Sequence, residues 1–245
     1  MGFYFGAVEA SGWDGRFEQL RFRVSWWLIP GAEAILQAAP GDGVVFRVQA
    51  CTNPALDLFH KVRDSITVLA SRTDEGFRSL HYLEKIKEGR YRNHMGVSFS
   101  GSGRVVFTDH GAGESHSLAV PPGTLDLITA FYATREMELQ VGKIYEISVV
   151  DNYRAYDLLI EVLARETRPT YFGKQTPTVI IRPLLRTKGV FKRDGAMRIW
   201  LTEDSRHLPV RVETKVSIGS IHADLIALSN DPADQVGESL FCDRR

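Results

Sequence analysis

Apolar and polar residues alternate with a period of two along most of this chain, the spacing of strands that present two different faces. The pattern is clearest from Ala196 to Leu228, AMRIWLTEDSRHLPVRVETKVSIGSIHADLIAL. Met197, Ile199 and Leu201 alternate with Arg198, Trp200 and Thr202. The run breaks at the polar turn Glu203-Asp204-Ser205-Arg206, and Pro209 opens a second one. There Val210, Val212, Thr214 and Val216 share one face, with Arg211, Glu213, Lys215 and Ser217 on the other. Gly219 interrupts again, the mark of a bulge or tight bend, before Ile221, Ala223, Leu225 and Ala227. Three consecutive antiparallel strands are predicted.

The same period runs through the earlier chain. Leu20, Phe22, Val24 and Trp26 alternate with Arg21, Arg23 and Ser25, and Pro30-Gly31 marks a turn. A short strand of small residues, Ala32 to Ala39, leads through the hairpin signal Pro40-Gly41-Asp42-Gly43 into Val44 to Cys51, which makes a meander and not a βαβ unit. Asn53 to Ser71 is ambiguous between helix and strand, and reads best as an irregular start with a strand from about Val62. Strands follow over Phe77 to Lys87, Arg90 to Ser100 and Arg104 to Asp109, the last two joined by Gly101-Ser102-Gly103. His110 to His116, HGAGESH, resembles a phosphate cradle only superficially, because the residues after it are extended and open no helix. It reads as a hairpin tip.

Pro121-Pro122-Gly123 ends this run, and Thr124 to Glu138 changes to helical spacing through Leu125, Ile128, Phe131 or Tyr132, and Arg135. Thr124 is the predicted N-cap, with Asp126 in the first turn. Strands resume over Lys143 to Val150, Arg154 to Arg165 and Thr178 to Arg186. The sum is a mainly β chain: about eleven or twelve strands in a large, strongly curved antiparallel sheet, a barrel or half-barrel, with one central helix near 124–137 that covers one opening or lies on the concave face. One domain over 1–245 is expected, with its core at 18–228 and a flexible polar tail at 230–245.

Composition narrows the function. The chain has 245 residues and is 44% hydrophobic, enough for a sizeable core. Thirty basic residues balance thirty acidic ones, which argues against general nucleic-acid binding by phosphate neutralisation. No apolar run approaches the ~20 residues of a membrane-spanning helix, so a transmembrane protein is not expected. MGFYFG lacks the charged start and apolar centre of a signal peptide, which leaves a cytoplasmic protein or an exported one whose leader has been removed. Two cysteines, Cys51 and Cys242, exclude a disulfide-dense scaffold; they are unrelated thiols or a bridge fastening the tail to an early strand.

The residues WLTEDSRHLPVRV and IGSIHADL, with LDLITAFYATR before them, resemble a bacterial family catalogued as domain of unknown function 3108. Its landmarks occur here in order across residues 18 to 228: an aromatic and glycine-marked opening strand, FRVSWWLIPGAEA; a helix with Asp126, Tyr132 and Arg135; and a closing strand and turn with Trp200, Thr202, Asp204 and Pro209. The family's usual Asp-Pro start of the helix is Leu125-Asp126-Leu127 here. The resemblance implies a β-rich protein exported to the periplasm, with no established activity. The closing hairpin also resembles that of periplasmic lipoprotein-carrier folds, where a curled sheet holds acyl chains.

No catalytic motif is present: no GxSxG, HExxH, P-loop or GxGxxG. His110 and His116 lack a third metal ligand nearby, and no metal or cofactor is expected. The candidate ligand-binding residues are Trp26, Tyr132, Arg135, Trp200 and Thr202. Tyr132 and Arg135 share a helix face, from which the guanidinium reaches either a buried carboxylate or an anionic ligand, and Trp200 either lines a cavity or caps a second core. Asp126, Asp204, Pro209 and Gly219 are candidate structural residues, Asp204 through an Asx turn. Two basic runs, Lys85, Lys87, Arg90 and Arg92 around Tyr91, and Arg182, Arg186, Lys188, Lys192 and Arg193, suit anionic head groups or an acidic polysaccharide if they lie at one rim. The leading expectation is a non-enzymatic envelope protein whose curled sheet encloses a lipid, glycolipid or other amphipathic ligand. Its alternatives are an assembly module for another envelope protein and a hydrolase built on Asp126 and Asp204.

Overall fold

The computed structural model describes residues 12–27, 29–187, 190–191, 197–216 and 219–234. Among these residues fifteen strands form one antiparallel sheet. They are β1 (Glu18–Trp26), β2 (Ile29–Gly41), β3 (Gly43–Thr52), β4 (Arg63–Thr73), β5 (Gly76–Glu88), β6 (Tyr91–Phe99), β7 (Arg104–Asp109), β8 (Glu114–Ala119), β9 (Ile144–Asp151), β10 (Arg154–Thr170), β11 (Gly173–Thr187), β12 (Val190–Phe191), β13 (Arg198–Thr202), β14 (Pro209–Lys215) and β15 (Ser220–Ser229). Two helices, α1 (Pro54–Asp57) and α2 (Leu127–Arg135), interrupt them. The hydrogen-bonded order is β8-β7-β6-β5-β4-β3-β2-β1-β15-β14-β13-β11-β10-β9, with β12 beside β11. Chain neighbours are therefore sheet neighbours almost throughout. The one long-range pairing, β1 with β15, joins the first meander to the last, with Val24 opposite Ala223 and Trp26 opposite Ile221.

The fifteen strands exceed the eleven or twelve that alternation predicts, and two of the added ones lack a readable alternation, one because it is polar and one because it is too short. In β8, ESHSLA, five of the six residues are exposed, and its turn follows Asp109 directly. The two-residue β12 is the other. Val62 joins Glu88 in an isolated bridge, and β4 begins at the next residue, Arg63.

β8 and β9 end the order and do not pair with each other, so the sheet is curled and open along a seam. Side chains bring the two margins together at one end. Met95, Val97, Val105 and Phe107 from β6 and β7 pack with Val150 of β9, and the Tyr153 ring meets Phe107 at 5.1 Å and His116 at 5.5 Å.

Helix α2 lies inside the curl. Its Ala130 packs among Val149, Leu158, Ile160, Val179, Ile181, Ile199 and Leu201, on the side of β9–β13. Its Tyr132 packs in a second cluster with Phe46, Val68, Ala70 and Phe77, on the side of β3–β5. Tyr132 stacks on Phe46 with centroids 4.0 Å apart, and Phe46 meets Trp13 and Phe77 edge-on. Such pairs add about 0.5–1.5 kcal/mol each beyond their buried area. The interior expected to hold a ligand is filled by this helix.

The helix starts two residues later than Thr124 implies. Asp126 is the N-cap, its carboxylate accepting from the backbone of Ile128 and Thr129 at 2.9 Å. Thr124 instead binds Pro121 O and Ser148 Oγ. Pro121-Pro122-Gly123 stops β8, and Leu125 then lies parallel to Val149 on the outer edge of β9, exchanging backbone bonds with Ser148 and Val150. That bridge steers the chain from the sheet margin into the interior.

Candidate functional site: a cleft at the open seam

The seam does not close over its whole length. Where the 120–125 connection crosses from β8 to α2, a cleft of about 640 Å³ remains, within the size of small-ligand sites. Its apolar walls include Phe77, Phe99, Val105, Leu125, Met137 and Ile147, and polar groups come from Arg78, Ser79, Arg104, Thr124 and Glu136. Each wall is placed by a different device. The hairpin glycines Gly101 and Gly103, both at positive φ, turn β6 into β7 and set Arg104 at the margin. The C-terminal turn of α2 supplies Ala133, Glu136 and Met137.

The charges at this cleft differ in how far they are satisfied. Arg78 pairs with Glu75 at 2.6 Å, both exposed. Glu136 pairs with Arg72 at 2.6 Å; burial raises its carboxyl above the usual range, against the pull of Arg72 and Arg135. Arg104 meets no carboxylate among the described residues and donates to Ser117 Oγ at 3.3 Å. It is the cation of the lining left available to a ligand anion. The chemistry on offer is recognition: an apolar floor beside a guanidinium.

The residues singled out from sequence do not converge on this cleft. Tyr132 and Arg135 are wholly buried. Arg135 forms a two-pronged pair with Glu18 of β1, at 2.7 and 2.9 Å, and donates to Arg206 O. Its guanidinium lies 4.9 Å from the Tyr132 ring centroid. The Tyr132 hydroxyl lies near this pair without hydrogen-bonding geometry to any described group. Trp200 is buried in a further cluster with Leu20, Ile180, Leu208 and Val210, while Ile199 and Leu201 face the helix, so both faces of β13 are covered. Its indole donates to Glu166 at 2.7 Å under the guanidinium of Arg168. Thr202 donates to Asp204 at 2.6 Å and accepts from the Leu208 amide. Trp26 is half exposed at the opposite end of the sheet.

The two carboxylates considered for hydrolysis are occupied separately. Asp126, 2% exposed, takes four donors: the Ile128 and Thr129 amides, Thr129 Oγ1 at 2.6 Å and Ser79 Oγ at 2.5 Å. Burial raises its carboxyl, and these bonds counter the rise. Asp204 accepts from the Arg206 amide and Thr202 within its own turn; burial works to raise it, and Thr202 and Arg206 outweigh that and hold it low. They share no partner. Pro209 lies opposite Leu201 at a break in register. Gly219 has φ +85°, and a Cβ there would fall 1.7 Å from the Trp27 indole nitrogen.

His110 and His116 separate as well: His110 packs on His94 at 4.5 Å, while His116 meets Tyr153. Cys51 is buried, and the proposed bridge to Cys242 falls outside the described residues, as does the tail beyond 234. Sequence reasoning missed the cleft because its walls come from five separate segments and share no spacing. The signals that point there are Pro121-Pro122-Gly123, which forces the chain off the sheet, and Arg104 directly after a Gly-Ser-Gly turn.

An antiparallel sheet rolled on one interior helix, with a side cleft in place of a lumen, defines a β-barrel-like protein. The profile of the family described as "Protein of unknown function (DUF3108)" matches residues 21–226, and the chain belongs to that family. Solved structures include a crystal structure of a beta-barrel-like protein of domain of unknown function DUF1849 from Brucella abortus, with a TM-score of 0.58 and 11% identity over 89% of this chain and 99% of that one. At that identity the likeness concerns the fold alone. The search of curated proteins found no match.

Proposed function

We propose that this protein is a non-enzymatic binding protein of the bacterial envelope, and that the seam cleft takes an amphipathic ligand, a lipid or glycolipid with an acidic head. The observation that carries the reading is the cleft itself: about 640 Å³, with Phe77, Phe99, Leu125 and Met137 forming an apolar side and, at its margin, Arg104 without a carboxylate partner among the described residues. The apolar part of the ligand lies on Phe77, Phe99, Leu125 and Met137, and the head meets Arg104. Location in the periplasm belongs to the same proposal and draws on the family likeness. Native mass spectrometry of the gently purified chain tests it. The expected spectrum shows a bound species in the mass range of a lipid, lost in Met137→Trp, which fills the cleft. A bare mass in the wild type, with no uptake of added lysolipid, overturns the reading.

One observation favours a second reading, an assembly module. β8 is an edge strand with an exposed face and an unpaired margin, the geometry that accepts an added strand from a partner. A proline placed within β8 then abolishes capture of a defined envelope protein and leaves lysolipid uptake intact.

A further inference from the structure

Because every neighbouring pair is antiparallel, the β1–β2, β3–β4, β5–β6 and β14–β15 connections all emerge at the same end of the sheet, away from the cleft's β4–β5 and β6–β7 turns. That end carries large apolar side chains in the open. Leu58 and Phe59 are 84% and 86% exposed, Ile29 63%, and Trp27 and Tyr91 58% each. Trp26 and Trp27 stack at 6.1 Å on the β1–β2 turn. The tips adjoin one another: Trp27 N donates to Ser220 O, Asn53 N to Gly31 O, and Gly89 N to Lys61 O.

Cations are interleaved with these tips. Lys61 follows Phe59 closely, Lys85, Lys87, Arg90 and Arg92 surround Tyr91, and Lys215 precedes Val216; all are exposed, and none meets a carboxylate among the described residues. Most acidic groups here are engaged, while Glu114 on the β7–β8 hairpin, which emerges at the same end, faces solvent beside His116. Asp57 binds Arg63 at 2.5 Å, Glu33 binds Arg21 at 2.5 Å, and Asp64 accepts the Lys87 amide beside Glu88. Of the second basic run, Arg182 and Arg186 are taken up by Glu161, Glu146 and Asp157, and Lys188, Lys192 and Arg193 fall outside the described residues.

We infer that this end docks on the surface of a bilayer containing anionic lipids, with Trp26, Trp27, Ile29, Leu58 and Phe59 inserted at head-group depth and the surrounding lysines and arginines against the lipid phosphates. The charge pattern chooses this occupant. A chain of zero formal charge presents free cations around protruding apolar tips, which complements a negative interface and not a second copy of the same cationic end. The form agrees: separate hairpin tips, with Trp rings among them, suit a deformable interface where amphipathic rings settle. The inference stands apart from the cleft, which opens elsewhere.

The test is sedimentation of the full chain with vesicles of phosphatidylcholine alone and with 30% phosphatidylglycerol, a fraction of about the anionic content that gives a substantial surface potential. Binding is expected to the anionic vesicles and to weaken with salt. Leu58→Ser/Phe59→Ser, at positions too exposed to support the fold, is expected to lower it at least tenfold, with circular dichroism unchanged. Lys61→Gln and Lys87→Gln each reduce it about fivefold. No binding, equal binding to neutral vesicles, or wild-type binding by the Leu58→Ser/Phe59→Ser variant overturns the inference. So does concentration-dependent self-association abolished by that variant, which identifies a second copy as the occupant.

Discussion

Arg135 and Glu18 meet almost wholly out of water, and the arrangement survives because each charge is both paired and hydrogen-bonded. Removing one partner leaves the other buried and uncompensated. Arg135→Met and Glu18→Leu are each expected to lose about 3–5 kcal/mol in urea unfolding, while the double variant regains most of that loss. A double variant as unstable as the sum of the two refutes the coupling. Tyr132 gives the opposite case. Its ring is locked against Phe46, but its hydroxyl, beside the Arg135 guanidinium, lies outside good hydrogen-bond geometry. Tyr132→Phe should therefore be neutral or stabilising by up to about 1 kcal/mol in the same assay, whereas a measured loss would reveal a hydrogen bond. The shared face of Tyr132 and Arg135 is legible in their spacing. That Arg135 finds a carboxylate in the first strand is not, since nothing near Glu18 distinguishes it from the surface acids.

At the scale of elements, one buried carboxylate fixes how α2 begins. Asp126 caps the helix and holds Ser79 of β5 by the same group, tying α2 to the sheet. Asp126→Ala is expected to cost about 2–4 kcal/mol, a lost cap plus stranded donors, and to shift α2 amides toward faster hydrogen exchange. Unchanged exchange there would show that packing alone holds the helix. The strands were readable because their faces alternate, and the helix because its period changes after Pro121-Pro122-Gly123. Of the two places the sequence allows the helix, over one opening or on the concave face, the structure takes the second. A helix on the outside would show the same stripe, and only the burial of Ala130 on one side and Tyr132 on another shows that it is surrounded. Gly219 was legible as a break, though not its cause, the indole of Trp27 lying over it.

At the scale of the whole molecule, curling the sheet on a helix buries acids that then resist ionisation. Burial raises Glu84 above its ordinary value near 4.5; the Tyr82 hydroxyl opposes this, and Asp151 and Asp64 add to it. Burial raises Glu136 likewise. The folded form thus holds these protons more tightly than the unfolded chain, so the stabilisation is complete below the unfolded value and lost as pH rises through the folded one. Relative to the wild type, Glu84→Gln is expected to lose less thermal stability as pH rises above about 4.5; the same pH dependence in both proteins contradicts the assignment. The same curl leaves its spare volume at the seam and not at the centre, which is why alternation pointed to a hollow that α2 occupies. The most direct test of the account is an NMR titration of the labelled chain with dodecyl phosphate below its micelle concentration. Saturable shifts are expected at the amides of Phe77, Gly103, Arg104, Leu125 and Met137, weakened in Arg104→Gln. Shifts confined to other residues, or none at all, contradict it.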